Sequence, residues 1–204
     1  MITIVDYGVC NVGSLRNMLK KIGSAAQISG DPEIVAQAEK LILPGVGAFD
    51  PAVLRLQKAG LDSAIRHAAG QRKVPALGIC LGMQLMGHTS EEGNLTGLSL
   101  VNAKSRRFAR SPEHPDLRIP HMGWNTVHPL REHPLFHGLE TRNRFYFVHS
   151  YCVVCADSSD ILGETDYGGK FTSCFAHQNL FGVQFHPEKS NRFGMKMLQN
   201  FAEI

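Results

Sequence analysis

Val74-Pro75-Ala76-Leu77-Gly78-Ile79-Cys80-Leu81-Gly82-Met83-Gln84 is the stretch that decides the fold. An apolar run enters it, glycines flank a cysteine, and a helical segment leaves it. Glycine on each side of Cys80 permits a sharp strand-to-helix turn in which backbone passes close to backbone. That turn projects the sulfur at the C-terminal edge of a sheet. It also sets the thiol at a helix N-terminus, where the macrodipole favours the thiolate. Cys80 is therefore a candidate nucleophile rather than a small buried filler.

Working outward, the first 90 residues alternate short apolar runs with helical stretches. The pattern predicts strands at Ile2–Val5, Lys40–Leu43 and Val74–Ile79. Helices are expected over Asn11–Ile22, Phe49–Gln57, Leu61–Ala69 and Leu81–Met86, the first with Val12, Leu15, Leu19 and Ile22 on one face. Strand, loop and helix in repetition imply parallel strands joined by crossover helices. The later chain changes character. Leu98–Ala109, Arg118–Val127, Phe145–Val154, Leu162–Glu164, Phe171–Gln178 and Phe181–Phe185 read as closely spaced strands, with turns at Gly168-Gly169 and Gln178-Asn179. They predict antiparallel additions to the sheet. A final helix over Asn191–Phe201 carries Phe193, Met197, Leu198 and Phe201 as a core-packing stripe. With no repeat or flexible linker, residues 1–204 read as one three-layer α/β domain with a mostly parallel central sheet.

Composition narrows the function. The chain has 204 residues, 43% hydrophobic and 19% charged, and a net charge of +3. Its pI of about 8.6 is mildly basic. Lys and Arg are not dense enough for a dedicated nucleic-acid binder, and no run is long and apolar enough to span a bilayer. Met1-Ile2-Thr3-Ile4-Val5 lacks the basic flank and long apolar run of a signal peptide. Five scattered cysteines (10, 80, 152, 155 and 174) are expected to be reduced thiols of a cytoplasmic protein. The count of ten histidines is high.

A thiolate needs a group that shuttles the leaving-group proton. His186 follows the apolar run Phe181-Gly182-Val183-Gln184-Phe185 and precedes Pro187-Glu188. In an extended segment held by Pro187, residues 186 and 188 would project to one side, so Glu188 could orient the imidazole. Cys80, His186 and Glu188 then satisfy the nucleophile, base and orienter logic of hydrolytic triads. His149 is the other candidate base. Pro44-Gly45-Val46-Gly47 ends a strand in a glycine loop that, with the N–H of Leu81, would form an oxyanion site; a phosphate-binding turn or a plain tight turn are the other readings.

Together these residues resemble the class I (triad) glutamine amidotransferases. Pro44–Phe49, Ser90–Gly93, Pro120-His121-Met122-Gly123-Trp124-Asn125, Phe145–Ser150 and His186–Ser190 are similar, more narrowly, to glutaminase subunits of imidazole glycerol phosphate synthase. The resemblance runs from Asp6-Tyr7-Gly8 to Asn200-Phe201. It implies that Cys80 attacks the glutamine side-chain amide, that His186 and Glu188 manage the proton, and that Val46, Gly47 and Leu81 supply oxyanion donors. Gly45, Gly47, Gln84, Glu92, Ser150 and Tyr151 match positions that hold L-glutamine. Asn11, His121, Met122, Trp124, Asn125, Tyr146 and Lys189 match positions near a partner surface. The implied partner is a (β/α)8 cyclase subunit in a heterodimer, which takes the ammonia for histidine biosynthesis; no cofactor is implied. The glutaminase pattern occupies the 204 residues without room for a synthetic domain, which leads to the same expectation.

Some positions depart from the family pattern: Cys10, Gly87-His88-Thr89 and Cys152. They leave open a related synthase, such as one that amidinates a cell-surface sugar. A stand-alone cysteine hydrolase of γ-glutamyl compounds and a non-catalytic interaction module are the remaining readings. Cys152-Val153-Val154-Cys155 is formally a C-x-x-C, but on a strand its two sulfurs would face opposite sides, so no metal site is expected. Arg106, Arg107 and Arg110, and Arg142 with Arg144, read as solvated charge or an anion-binding patch.

Overall fold

A computed structural model describes residues 1–9, 12–110, 113–139 and 143–204. Cys10, Asn11 and Arg142 lie outside the described residues. The N-terminal half runs β1 (Ile2–Val5), α1 (Val12–Lys21), β2 (Ala26–Ser29), α2 (Pro32–Ala36), β3 (Lys40–Gly45), α3 (Phe49–Lys58), α4 (Leu61–Ile65), β4 (Ala76–Cys80) and α5 (Leu81–Leu85). Then come β5 (Thr89–Ser90), β6 (Ala103–Arg107), β7 (His121–Thr126), β8 (His128–Pro129), β9 (Arg144–His149) and β10 (Tyr151–Cys155). The chain finishes with β11 (Ile161–Asp166), β12 (Lys170–His177), β13 (Leu180–Val183) and α6 (Asn191–Glu203).

The main sheet has the order β2-β1-β3-β4-β13-β12-β10-β6-β5. Its half from β2 to β13 is parallel. From β13 onward, β12, β10 and β6 pair antiparallel, and β11 also pairs with β12. Alternating side chains feed two cores: Leu41 and Leu43 of β3 point into one, Ile42 into the other. The first core is covered by α2, α3 and α4, and the second by α1 and α6. The result is the expected three-layer α/β domain. Phe49, Phe147, Phe175, Phe185 and Phe201 are fully buried, each worth up to about 3 kcal/mol of apolar burial. Lys40 Nζ donates to the carbonyls of Phe201 and Ala202, satisfying acceptors at the end of α6.

Several elements depart from the sequence expectation. β2 and α2 were not expected; α2 has only five residues, although Asp31 caps it by accepting from Glu33 N–H at 2.8 Å and Pro32 opens it. The helix expected over 61–69 becomes π-helical from Arg66 to Gln71. Only residues 103–107 of the run 98–109 form a strand, because Leu98 and Val101 are buried by loop backbone that bonds to residues 85 and 86. The single strand expected over 145–154 is two, broken at Ser150. β9 pairs with β7 in a separate two-stranded ribbon, and β10 joins the main sheet. Breaking there lets the chain leave one sheet for the other.

Candidate active site

β4 ends at Cys80 and α5 begins at Leu81, so the elbow lies where the sequence places it. Cys80 has φ 53° and ψ −112°, a left-handed conformation that costs a residue with a Cβ of order 1–3 kcal/mol. The turn is held by contacts only glycine allows. A Cβ on Gly82 would lie 1.8 Å from the Leu43 carbonyl oxygen, and one on Gly78 would lie 2.8 Å from the Gly82 backbone. Cys80 is only 6% exposed.

His186 comes to the elbow because β13 runs parallel beside β4, with Val183 opposite Ile79. Its Nδ1 hydrogen-bonds to Glu188 Oε1 at 2.8 Å. The reason differs from the extended geometry expected: Pro187–Lys189 is a 3-10 turn with Pro187 at its start, and the turn folds Glu188 back onto the ring. Ser190 fastens this turn, donating to His186 O at 2.6 Å while accepting from Tyr146 N–H at 3.0 Å. Among the described residues, His186 Nε2 is buried without a hydrogen-bond partner, and Cys80 Sγ–H points instead to Val148 O at 3.9 Å. Burial disfavours the imidazolium, but the Cys80 sulfur nearby and the hydrogen-bonded Glu188 carboxylate outweigh it and push the His186 pKa up to about 10. An imidazolium beside a sulfur can give its proton to a leaving amine.

Gly45 sits opposite Cys80 on adjacent strands, so the Gly45-Val46-Gly47 loop lies at the nucleophile. Gly45 is pressed between the Tyr7 hydroxyl and Gly82 N, at 2.7 and 2.9 Å from a would-be Cβ. Val46 is exposed, Gly47 has φ +100°, and Leu81 opens α5 beside Cys80. Glu92 Oε2 accepts from Phe49 N–H at 2.9 Å, at the start of α3, which lacks a side-chain cap of its own. Burial raises the Glu92 pKa, opposed by that hydrogen bond and reinforced by Asp50. Asp50 in turn binds the N–H groups of Asn94 and Leu95, pinning the loop that carries Glu92. The carbonyls of Ser150 and Tyr151 are already engaged, the first by Phe108 N–H and the second by Gln84 Nε2 and His149 Nδ1.

The rival base, His149, is occupied elsewhere. Its Nδ1 bonds to Tyr151 O at 2.8 Å and its Nε2 to His121 Nδ1 at 3.0 Å. Asn125 Nδ2 reaches the other nitrogen of His121 at 3.3 Å. Because Nδ2 donates and the Tyr151 carbonyl only accepts, both rings are neutral with the proton on Nδ1. Desolvation depresses the pKa of His149 to about 3 and that of His121 to about 4. Phe147, Tyr167 and Phe171 pack around the pair.

Of the residues expected near a partner, His121 is therefore inside the fold at 2% exposure. Met122, Trp124 and Lys189 are exposed, and Tyr146 and Asn125 half-buried. Trp124 and Tyr146 are cross-strand partners on the β7–β9 ribbon, and Lys189 lies over the Tyr146 ring. Tyr146 O accepts from His186 N–H at 2.9 Å, so this surface is tied directly to the His186 backbone. Cys152 and Cys155 do face opposite cores. Two contacts were missed from sequence: Ser190, and Gln184, whose Nε2 lies 3.7 Å from Cys80 Sγ. An amide inside the apolar run 181–185 was the available signal.

Fold, elbow and His–Glu pair define the class, and the family model for glutamine amidotransferase class-I matches residues 3–204. The chain belongs to the class I glutamine amidotransferases. It is 50% identical over 203 residues to imidazole glycerol phosphate synthase subunit HisH 2 of Methanococcus maripaludis, covering 100% of this chain and 99% of that protein. It is 48% identical over 204 residues to the subunit HisH 2 of Pseudomonas aeruginosa, covering both chains completely. Among solved structures, PurLQS from Thermotoga maritima superposes with a TM-score of 0.75 at 18% identity, over 99% of this chain and 97% of that one. A glutamine amidotransferase from the same organism gives 0.64 at 15%, over 94% and 77%. These two share the fold.

Proposed function

We propose that this chain is the glutaminase subunit of an imidazole glycerol phosphate synthase. The observation that carries the chemistry is a strained cysteine elbow beside a buried histidine bonded to a carboxylate at 2.8 Å. Full-length identity of 48–50% to HisH subunits supports the assignment to that synthase.

In this reading the Cys80 thiolate attacks the side-chain carbonyl carbon of L-glutamine. The oxyanion is met by N–H groups of Leu81 and the Val46-Gly47 loop. As the tetrahedral adduct collapses, the C–N bond breaks, His186 donates its proton to the nitrogen, and ammonia leaves a γ-glutamyl thioester on Cys80. His186 then takes a proton from water, which attacks the thioester and releases glutamate and the thiolate. Glu188 holds the ring and balances its charge throughout. Gly45, Gly47, Gln84, Glu92, Ser150 and Tyr151 surround the glutamine.

Ammonia that reaches water becomes ammonium and is no longer a nucleophile, so the product has to pass directly to an acceptor. The partner is a (β/α)8 cyclase docked over Met122, Trp124, Tyr146 and Lys189, and the pair works in the cytoplasm on histidine biosynthesis. Asn125 and His121 support that face from within. Co-purification from the source organism, followed by glutamine hydrolysis assays with and without the histidine-pathway ribotide, tests this. A cyclase partner and ribotide-stimulated hydrolysis are expected. Capture of a different synthase, or hydrolysis indifferent to the ribotide, would overturn the assignment.

A further inference from the structure

Gln184 lies just beyond β13 and is fully buried. A buried amide is costly unless both its ends are satisfied. Here the direction of each amide is fixed by its neighbour. The Tyr151 carbonyl only accepts, so Gln84 turns its NH2 toward it, at 3.2 Å. The same NH2 reaches Gln184 at 3.2 Å, which must then present its oxygen. The NH2 of Gln184 is left directed at Cys80 Sγ, 3.7 Å away. The chain from carbonyl to sulfur ends in a donor.

We propose that Gln184 is a positioning residue for the nucleophile: held in one orientation by Gln84, it donates to the Cys80 sulfur and favours the thiolate. The inference rests on Cys80 being the nucleophile, and deepens that reading. A thiol is a poor acceptor and has its own outlet toward Val148 O at 3.9 Å. A thiolate has no proton to give that carbonyl and gains most from an N–H donor. Gln184 thus acts on the side of the charged form, without contacting the His186–Glu188 pair through any hydrogen bond among the described residues.

The test is the pH dependence of Cys80 alkylation by iodoacetamide in the full chain, read by mass spectrometry with Cys80→Ala as blank. Gln184→Leu removes the donor. Gln184→Glu keeps the shape and the bond from Gln84 but turns an oxygen to the sulfur. The alkylation midpoint is expected to rise by about one pH unit in Gln184→Leu, tenfold less thiolate at a given pH, and further in Gln184→Glu. In the assembled synthase kcat falls about tenfold while KM for glutamine stays within twofold. Profiles of both variants that superimpose on the wild type would overturn the proposal. If the variants fail to fold, the side-chain amide resonance of Gln184 in the unmodified protein reports instead. It is expected to move with the sulfur's titration and to stay still in Cys80→Ser; a resonance indifferent to that titration overturns the proposal equally. Absence of glutamine hydrolysis in the wild-type complex would count against the glutaminase reading alone, since the alkylation shift is read without glutamine.

Discussion

The Cα of Gly82 is seated on the carbonyl oxygen of Leu43, with only 1.8 Å between that oxygen and the place a Cβ would occupy. This contact lets α5 start against β3 and holds the elbow in its strained turn. Gly82→Ala must push two backbones apart, and a loss of about 3 kcal/mol or more is expected. At Gly23, where a Cβ would meet nothing within 4 Å but φ is +78°, alanine is expected to cost about 1 kcal/mol. Urea unfolding of both variants measures the difference; equal losses would show that the Leu43 contact yields easily.

Cys80→Ala is expected to reduce glutamine hydrolysis by at least about 10³-fold, because no other described thiol lies at the elbow. Synthesis with free ammonium and the intact partner should continue. Glutamine-dependent turnover that survives in this variant would remove Cys80 from the mechanism.

Glu188→Gln takes away the charge that helps keep His186 protonated. The pKa of the imidazole falls, so less of it is charged at alkaline pH. The alkaline limb of kcat should move to lower pH, with kcat down about 10²–10⁴-fold. An unshifted limb would mean that Cys80 alone sets the histidine's charge.

His121 and His149 give stability a defined pH dependence. Each has an ordinary pKa of 6.5 when unfolded and about 4 and 3 when folded. Between those values the unfolded chain binds more protons, so stability rises with pH there and is lost on acidification from 6.5 toward 4. Urea midpoints at pH 7 and pH 5 should show the drop, and His149→Gln should show a smaller one. An identical drop in the variant would assign the effect to other groups.

Trp124 is 40% exposed at the centre of the β7–β9 ribbon. Trp124→Ala should change stability by no more than about 0.5 kcal/mol. It should weaken binding to the proposed cyclase partner at least about tenfold, as loss of an interface aromatic does. Calorimetric titration of the two subunits decides this; unchanged affinity places the partner on another face.

The alternation of apolar runs with helical stretches was enough to read β1, β3 and β4 of the parallel half; β2 left no such signal, and β13, expected as an antiparallel addition, pairs parallel with β4. The period of the hydrophobic pattern reflects which side of each element meets the core, and that is a local property. Gly78-Ile79-Cys80-Leu81-Gly82 was equally legible, since a positive φ and close backbone approach leave their mark on residue type. The His186–Glu188 pairing was read correctly for a mistaken reason, because spacing alone does not distinguish an extended segment from a 3-10 turn.

Tertiary structure alone decided the rest. Ser150 separates two strands that look like one run, because an edge between two sheets leaves no periodic signature. His121, expected near a partner surface, and His149, the other candidate base, became a neutral buried pair because strands 28 residues apart in the chain align their rings. Gln184 met Cys80 across 104 positions for the same reason. Sequence determines what each residue can offer as donor, acceptor or nucleophile. Which group stands opposite it, and so which protonation state or orientation it keeps, is fixed only by long-range pairing of strands.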